Sequence, residues 1–117
     1  MRSRANSRSG FPLTAAHQLA YNRFLARAAH ARGLSIGLKN DLDQVRALEP
    51  HFDFAINEQC FQYDECDRLA PFVRSGKAVF NVEYALPPAA FCAQSRRLGF
   101  MSVRKHPNLD AWRDSCF

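Results

Sequence analysis

The chain has 117 residues, 47% of them hydrophobic and 12% aromatic, which suffices for one packed domain and excludes a chain disordered throughout. No apolar run approaches the roughly 20 residues of a bilayer span, and MRSRANSRSG lacks the apolar middle of a secretory signal, so no membrane partner or export address is expected. The formal charge of +5 does not imply nucleic acid: Arg2, Arg4 and Arg8 fall in a basic leader, residues 1–9, that reads as disordered, and the other basic residues are scattered.

The domain is expected over residues 10–117. Thr14 is a plausible helix N-cap, and Tyr21, Phe24, Leu25 and Ala28 recur at i, i+3, i+4 and i+7, predicting an amphipathic helix that stops at Gly33. Leu34 to Leu38 reads as a buried strand whose upper end is Lys39, Asn40 and Asp41. Leu42, Val45 and Leu48 then suggest a short helix ended by Pro50.

The most informative stretch follows, FDFAINEQCFQYDEC, from Phe52 to Cys66. An apolar run turns abruptly into Asn57, Glu58 and Gln59, as a buried strand does where it ends at a working surface. Beyond it, Leu69, Phe72 and Val73 mark a helix that Pro71 bends or delays and Gly76 closes. Ala78 to Glu83 is a third strand, Pro88 to Leu98 a helix, Gly99 to Val103 a fourth strand, and Leu109, Ala111 and Trp112 a last helical turn.

Four βα units at this spacing imply right-handed crossovers and a parallel sheet. Polar groups at the strand ends, facing away from the helices, are what the active face of a (β/α)8 barrel presents, although a whole barrel takes about 250 residues. A doubly wound sheet is the alternative, but no glycine-rich phosphate turn follows any strand, so no nucleotide cofactor is expected.

Cys60, Cys66, Cys92 and Cys116 lack the paired C-x-x-C spacing of a zinc ribbon, and no metal site is expected. Two disulfides or buried free thiols remain open, and sequence does not fix connectivity. Cys60 with Cys66, leaving Cys92 with Cys116, is the pairing chosen, because the first would clamp the loop after Glu58 and would place the protein outside the reducing cytosol.

In the strand ends Gly37-Leu38-Lys39-Asn40-Asp41, Asn57-Glu58-Gln59-Cys60 and Val82-Glu83-Tyr84, the sequence resembles glycoside hydrolase family 114. The resemblance runs from about Gly10 to the C-terminus and includes GFPLTAAHQLAYNRFLARAAHARGLSIGLKNDLDQ and FAINEQCFQYDEC. It implies an α/β fold, the C-terminal half of a (β/α)8 TIM barrel, and an endo-α-1,4-polygalactosaminidase ancestry of secreted or extracellular proteins. The family carries a D-N-x-D-G-Y motif just before this point, whereas here Arg2 to Arg8 contain no acid.

Glycosidic cleavage takes two carboxyl groups, one to protonate the leaving oxygen and one as nucleophile or base. The resemblance gives the acid's role to Glu58, with Glu83 as the fallback, and offers Lys39, Asn40, Asn57, Gln59, Glu83 and Tyr84 as substrate-binding groups. Tyr63 and Trp112 are candidates to stack on sugar rings or simply to pack. Glu58 shares strand parity with Phe54 and Ile56, which ought to face the helices, so a turn or bulge after Ile56 is expected.

The expected partner is thus a galactosamine-rich polysaccharide, met by a mouth made acidic by Asp41, Asp43, Glu58, Asp64, Glu65, Asp67 and Glu83. As a truncated chain it is expected to be inactive. The other readings are a non-catalytic carbohydrate-binding remnant or a non-functional half-barrel that self-associates through exposed edges.

Overall fold

The structure, a computed structural model, describes residues 14–117; the expected leader and the Phe11 to Leu13 lead-in lie outside the described residues. Thr14 opens the first helix as its sequence suggests. Its hydroxyl accepts the His17 N–H at 3.1 Å, while His17 Nδ1 accepts the Thr14 N–H at 3.5 Å. Such a cap contributes about 1 kcal/mol. Helix α1 (Ala15–Ala31) ends at Gly33, whose φ of +70° supplies the left-handed turn.

The apolar stripe of α1 is rotated from its expected position. Tyr21 and Phe24 are more than half exposed, and the buried residue is Ala26, with Leu19 packed beside the core. Small side chains let α1 approach its neighbours closely, and the larger rings stay on the outer side.

Four strands lie side by side in sequence order, all parallel: β1 (Gly37–Lys39), β2 (Phe54–Glu58), β3 (Val79–Glu83) and β4 (Met101–Lys105). The connections carry α2 (Val45–Leu48) between two 3-10 turns, α3 (Ala70–Arg74) after the turn Cys66–Leu69, and α4 (Pro88–Leu98). The order never reverses, so the sheet has the topology of a barrel wall and not of a doubly wound sheet. The fold is α/β, as expected.

Three boundaries differ from the sequence reading. Leu34 is exposed and β1 begins only at Gly37. Gly99, at φ +77°, is the C-cap of α4, so β4 starts after the buried Phe100. The expected last helical turn is absent: His106 to Trp112 form a loop, and β5 (Arg113–Ser115) returns antiparallel along β4.

The faces of β2 and β3 are inverted relative to expectation, while β1 keeps Leu38 covered and Lys39 open as expected. The aligned row Leu38, Ala55 and Val79 lies in the core with Leu48, Leu69 and Phe72, beneath the helices. The next row on that covered face is polar, with Asn57, Asn81 and Ser102 each at most 1% exposed. The open face carries Phe54, Ile56, Phe80 and Met101, with the Phe54 and Phe80 rings edge to face at 5.9 Å. Gly37 sits here because a Cβ at that position would run into the Phe54 ring.

Both expected disulfides form, Cys60–Cys66 and Cys92–Cys116. The second ties α4 to the residue after β5, fixing the hairpin to the helix layer.

Candidate active site

The parallel strands bring their carboxyl ends to one rim, where Lys39, Glu58 and Tyr84 meet. Lys39 Nζ lies 3.1 Å from Glu58 Oε1, and the Tyr84 hydroxyl donates to Glu58 Oε2 at 3.1 Å. The Glu58 backbone N–H donates to Asn40 Oδ1 at 2.9 Å, and the Asn40 N–H donates to Ile56 O at 2.8 Å. Three successive strand ends thus hold one carboxylate. No bulge is needed to place it: Phe54 and Ile56 face the open side, and Glu58 follows them in regular alternation.

Burial by itself would raise the Glu58 pKa. The hydrogen bonds from Lys39 and Tyr84 and the Lys39 charge outweigh it, holding the carboxyl below its ordinary value. Glu58 therefore rests as the anion. Burial likewise raises Tyr84, and the neighbouring carboxylate adds to the shift, so the phenol stays a donor. Lys39 is 64% exposed, so its ion pair is screened by water and easily displaced.

Asn40 reaches with its side chain across to the backbone of β2. It is buried, with φ +55°, a left-handed conformation that asparagine tolerates, and its side-chain oxygen is occupied by the β2 backbone. Gln59 also has positive φ, +69°, and its amide donates to Gln62 Oε1 at 3.1 Å. It remains half-buried at the rim.

Asn57 and Glu83, both expected to hold sugar hydroxyls, are placed on the covered side of the sheet, Glu83 at 0% exposure. Asn57 Oδ1 accepts the Cys60 N–H at 2.9 Å and the Asn81 amide at 3.2 Å. Glu83 Oε2 accepts the Phe61 N–H at 2.9 Å and the Asn81 amide at 3.0 Å. Burial raises the Glu83 pKa despite these donors. The Asn57 and Glu83 side chains brace the backbone of the loop that follows Glu58.

The acidic mouth is also smaller than composition suggests. Asp41, Glu65 and Glu83 are buried, and Asp43 pairs with Arg68 at 2.9 Å. Asp41 accepts the Asn22 amide of α1 at 3.2 Å, and burial followed by repulsion from Asp43 raises its pKa. Asp64 stays exposed in the loop that Cys60–Cys66 closes, and Asp67 in the turn just after it. Tyr63 is exposed in the same loop.

A surface hollow lined by Leu42, Val45, Arg46, Arg68 and Arg74 lies among the short helices and shares no residue with the Glu58 cluster. No group of three or more His, Cys, Asp or Glu suited to a metal ion occurs among the described residues.

Sequence reasoning missed Asn81, the donor that links Asn57 and Glu83. It also missed the pairing of His106 with Trp112 on the β4–β5 loop, since neither residue belongs to a recognisable motif. The signal available was the lone tryptophan in a polar stretch.

Comparison with known proteins places this geometry in context. The model of glycoside-hydrolase family GH114 matches residues 2–117. A crystal structure of Aspergillus fumigatus Ega3 in complex with galactosamine is similar at a TM-score of 0.84 and 36% identity, over 95% of this chain and 49% of that one. The chain spans about half the length of that solved relative. No curated protein matches it.

Proposed function

The chain belongs to glycoside-hydrolase family GH114, and from that premise we propose that its ligand is galactosamine-rich, α-1,4-linked polysaccharide outside the cell and that Glu58 is one of the two carboxyl groups that cleavage of this polymer takes. The observation that carries the reading is the placement of Glu58 at a strand end, between an ammonium and a phenol. The solved relative was crystallised with galactosamine, which supports an amino-sugar ligand.

Glu58 rests as an anion, while the acid's role takes the protonated form. A bound polymer supplies the change. It excludes water from the rim, strengthening the burial that already pushes Glu58 upward, and it displaces the loosely held Lys39 that pushes the pKa down. Tyr84 keeps the carboxyl oriented throughout, and Lys39 and Gln59 are left to meet sugar hydroxyls. Asn40 acts through Glu58 by holding the end of β2.

A second carboxyl group is needed for cleavage, and Glu58 is paired with lysine and tyrosine, not with another acid. Residues 1–13 contain no Asp or Glu. The 117-residue chain by itself is therefore proposed to bind the polymer with little or no turnover, which is also the carbohydrate-binding reading of the same rim. Incubation with partially deacetylated polygalactosamine, followed by reducing-end assay and calorimetry, tests this. Binding without new reducing ends is expected, whereas turnover that Glu58→Gln abolishes would show that the chain holds a complete catalytic pair.

A further inference from the structure

β4 runs parallel to β2, so the loop that follows it leaves the sheet at the Glu58 rim. Two strand spacings of about 4.8 Å separate the strands, roughly 10 Å in all. On this loop the His106 and Trp112 rings stack at 4.2 Å with their planes 7° apart, and Trp112 is 40% exposed.

The loop is built to hold that pair still. His106 Nδ1 lies 2.9 Å from Asp110 Oδ2, and the Trp112 N–H donates to Asp110 Oδ1 at 3.1 Å. Lys105 Nζ donates to Asp110 O at 2.6 Å, and the Leu109 N–H to His106 O at 2.8 Å. An indole packed only for stability would turn into the core; this one lies flat on an imidazole, on a polar loop. Such a preorganised aromatic surface binds a flat apolar face at small entropic cost.

We propose that Trp112, backed by His106, is a stacking subsite for one pyranose ring of the polymer, and that it takes a neutral, N-acylated amino sugar in preference to a free amine. The substrate class rests on the reading above; the preference comes from local charge. Lys105 and Arg113 stand opposite each other in the hairpin register and outnumber the one Asp110 carboxylate that holds His106. An ammonium on the stacked ring meets these cations, and an acetamide does not.

Trp112 is the sole tryptophan, so its emission reports directly on the subsite. The 117-residue chain is titrated with short α-1,4-linked N-acetylgalactosamine oligomers and with the same oligomers fully deacetylated. A saturable emission change is expected from the acetylated form, with affinity about threefold or more above the deacetylated form. By calorimetry, Trp112→Ala should weaken binding about tenfold at an unchanged unfolding midpoint, and Trp112→Phe should retain most of the affinity.

No emission change with either oligomer, or tighter binding of the free amine, overturns the proposal. Polymer binding that is lost in Glu58→Gln or Tyr84→Phe yet indifferent to Trp112→Ala sinks the subsite and leaves the Glu58 reading standing. An emission response that survives both rim substitutions, with no effect of either on polymer binding, supports the subsite and removes the Glu58 reading.

Discussion

The Tyr84 hydroxyl donates to Glu58 Oε2 at 3.1 Å, tying the end of β2 to the residue that follows β3. Together with Lys39 on Oε1 it keeps the carboxylate ionised, so both partners lower the Glu58 pKa against the upward pull of burial. Removing either leaves burial less opposed. Lys39→Met and Tyr84→Phe are each expected to raise the Glu58 pKa, read by carboxyl-carbon NMR titration. The stability linked to this lowered pKa is present above the unfolded value and is lost as pH falls through the folded one. Because Lys39 is largely exposed, Lys39→Met should change stability by less than about 1 kcal/mol. A Glu58 titration unmoved in both variants would mean that neither partner controls its charge.

Asn40 carries a separate load. Its side chain accepts the Glu58 N–H at 2.9 Å while its own backbone holds a φ of +55°. Asn40→Ala removes the acceptor from a part-buried donor and puts a residue less tolerant of the left-handed region in its place. A loss of about 1–3 kcal/mol is expected in urea unfolding, together with weaker polymer binding as the end of β2 loosens. A variant that is destabilised but binds normally would confine Asn40 to the fold.

Much of the architecture was legible in the residues, and the point at which it ceased to be is physical. The βα alternation, the Thr14 cap, the span of α4 and the disulfide pairing all depend on local signals or short reach. The orientation of the sheet does not. Asn57, Asn81 and Glu83 read as an exposed polar face, yet they satisfy many of their hydrogen-bonding groups through one another and through the backbone of Cys60 and Phe61, which lets the row lie under helices. Phe54, Ile56 and Phe80 read as core, yet they line the open face. Alternation reports which residues share a side and never which side is covered. That ambiguity also explains why Glu58 seemed to need a bulge.

Burial raises the Glu83 pKa, which makes the folded state bind a proton that the unfolded chain releases more readily. Its stabilising contribution is fully present below the unfolded pKa and is lost as pH rises through the folded one. Glu83→Gln keeps the shape and an acceptor for Phe61 but has no charge to desolvate. The difference in melting temperature, variant minus parent, is expected to grow between pH 4 and pH 7, a range chosen to bracket about 4.3, the usual glutamate value. A difference that stays flat across that range would show that Glu83 ionises without cost.

The open face makes a prediction about association. Phe80 and Met101 are 38% and 39% exposed on a sheet surface that also carries Phe54 and Ile56, and clustered apolar exposure of this kind drives contact between copies. The purified 117-residue chain is proposed to self-associate through this face and the sheet edge beside it. Sedimentation should show mass rising with concentration, and Phe80→Lys should return the chain toward monomer. Monomeric behaviour of the parent chain at high concentration would remove this proposal.

The two disulfides close loops of unequal length, six and 24 residues apart in sequence, and so separate a stabilising role from a local one. On the chain-entropy account, the short loop is worth about 2 kcal/mol and the long one about 3.5 kcal/mol. Cys92→Ala with Cys116→Ala should therefore cost more in denaturant unfolding than Cys60→Ala with Cys66→Ala. Binding should reverse the order. The Cys60–Cys66 bridge anchors the segment whose Cys60 and Phe61 amides donate to Asn57 and Glu83, directly after Glu58. Its loss should weaken polymer binding at Glu58, whereas loss of Cys92–Cys116, which ties α4 to the residue after β5, should leave the Glu58 cluster in place and act on binding only through the β4–β5 loop. Equal effects on binding would show that the local bridge does not position the rim at all.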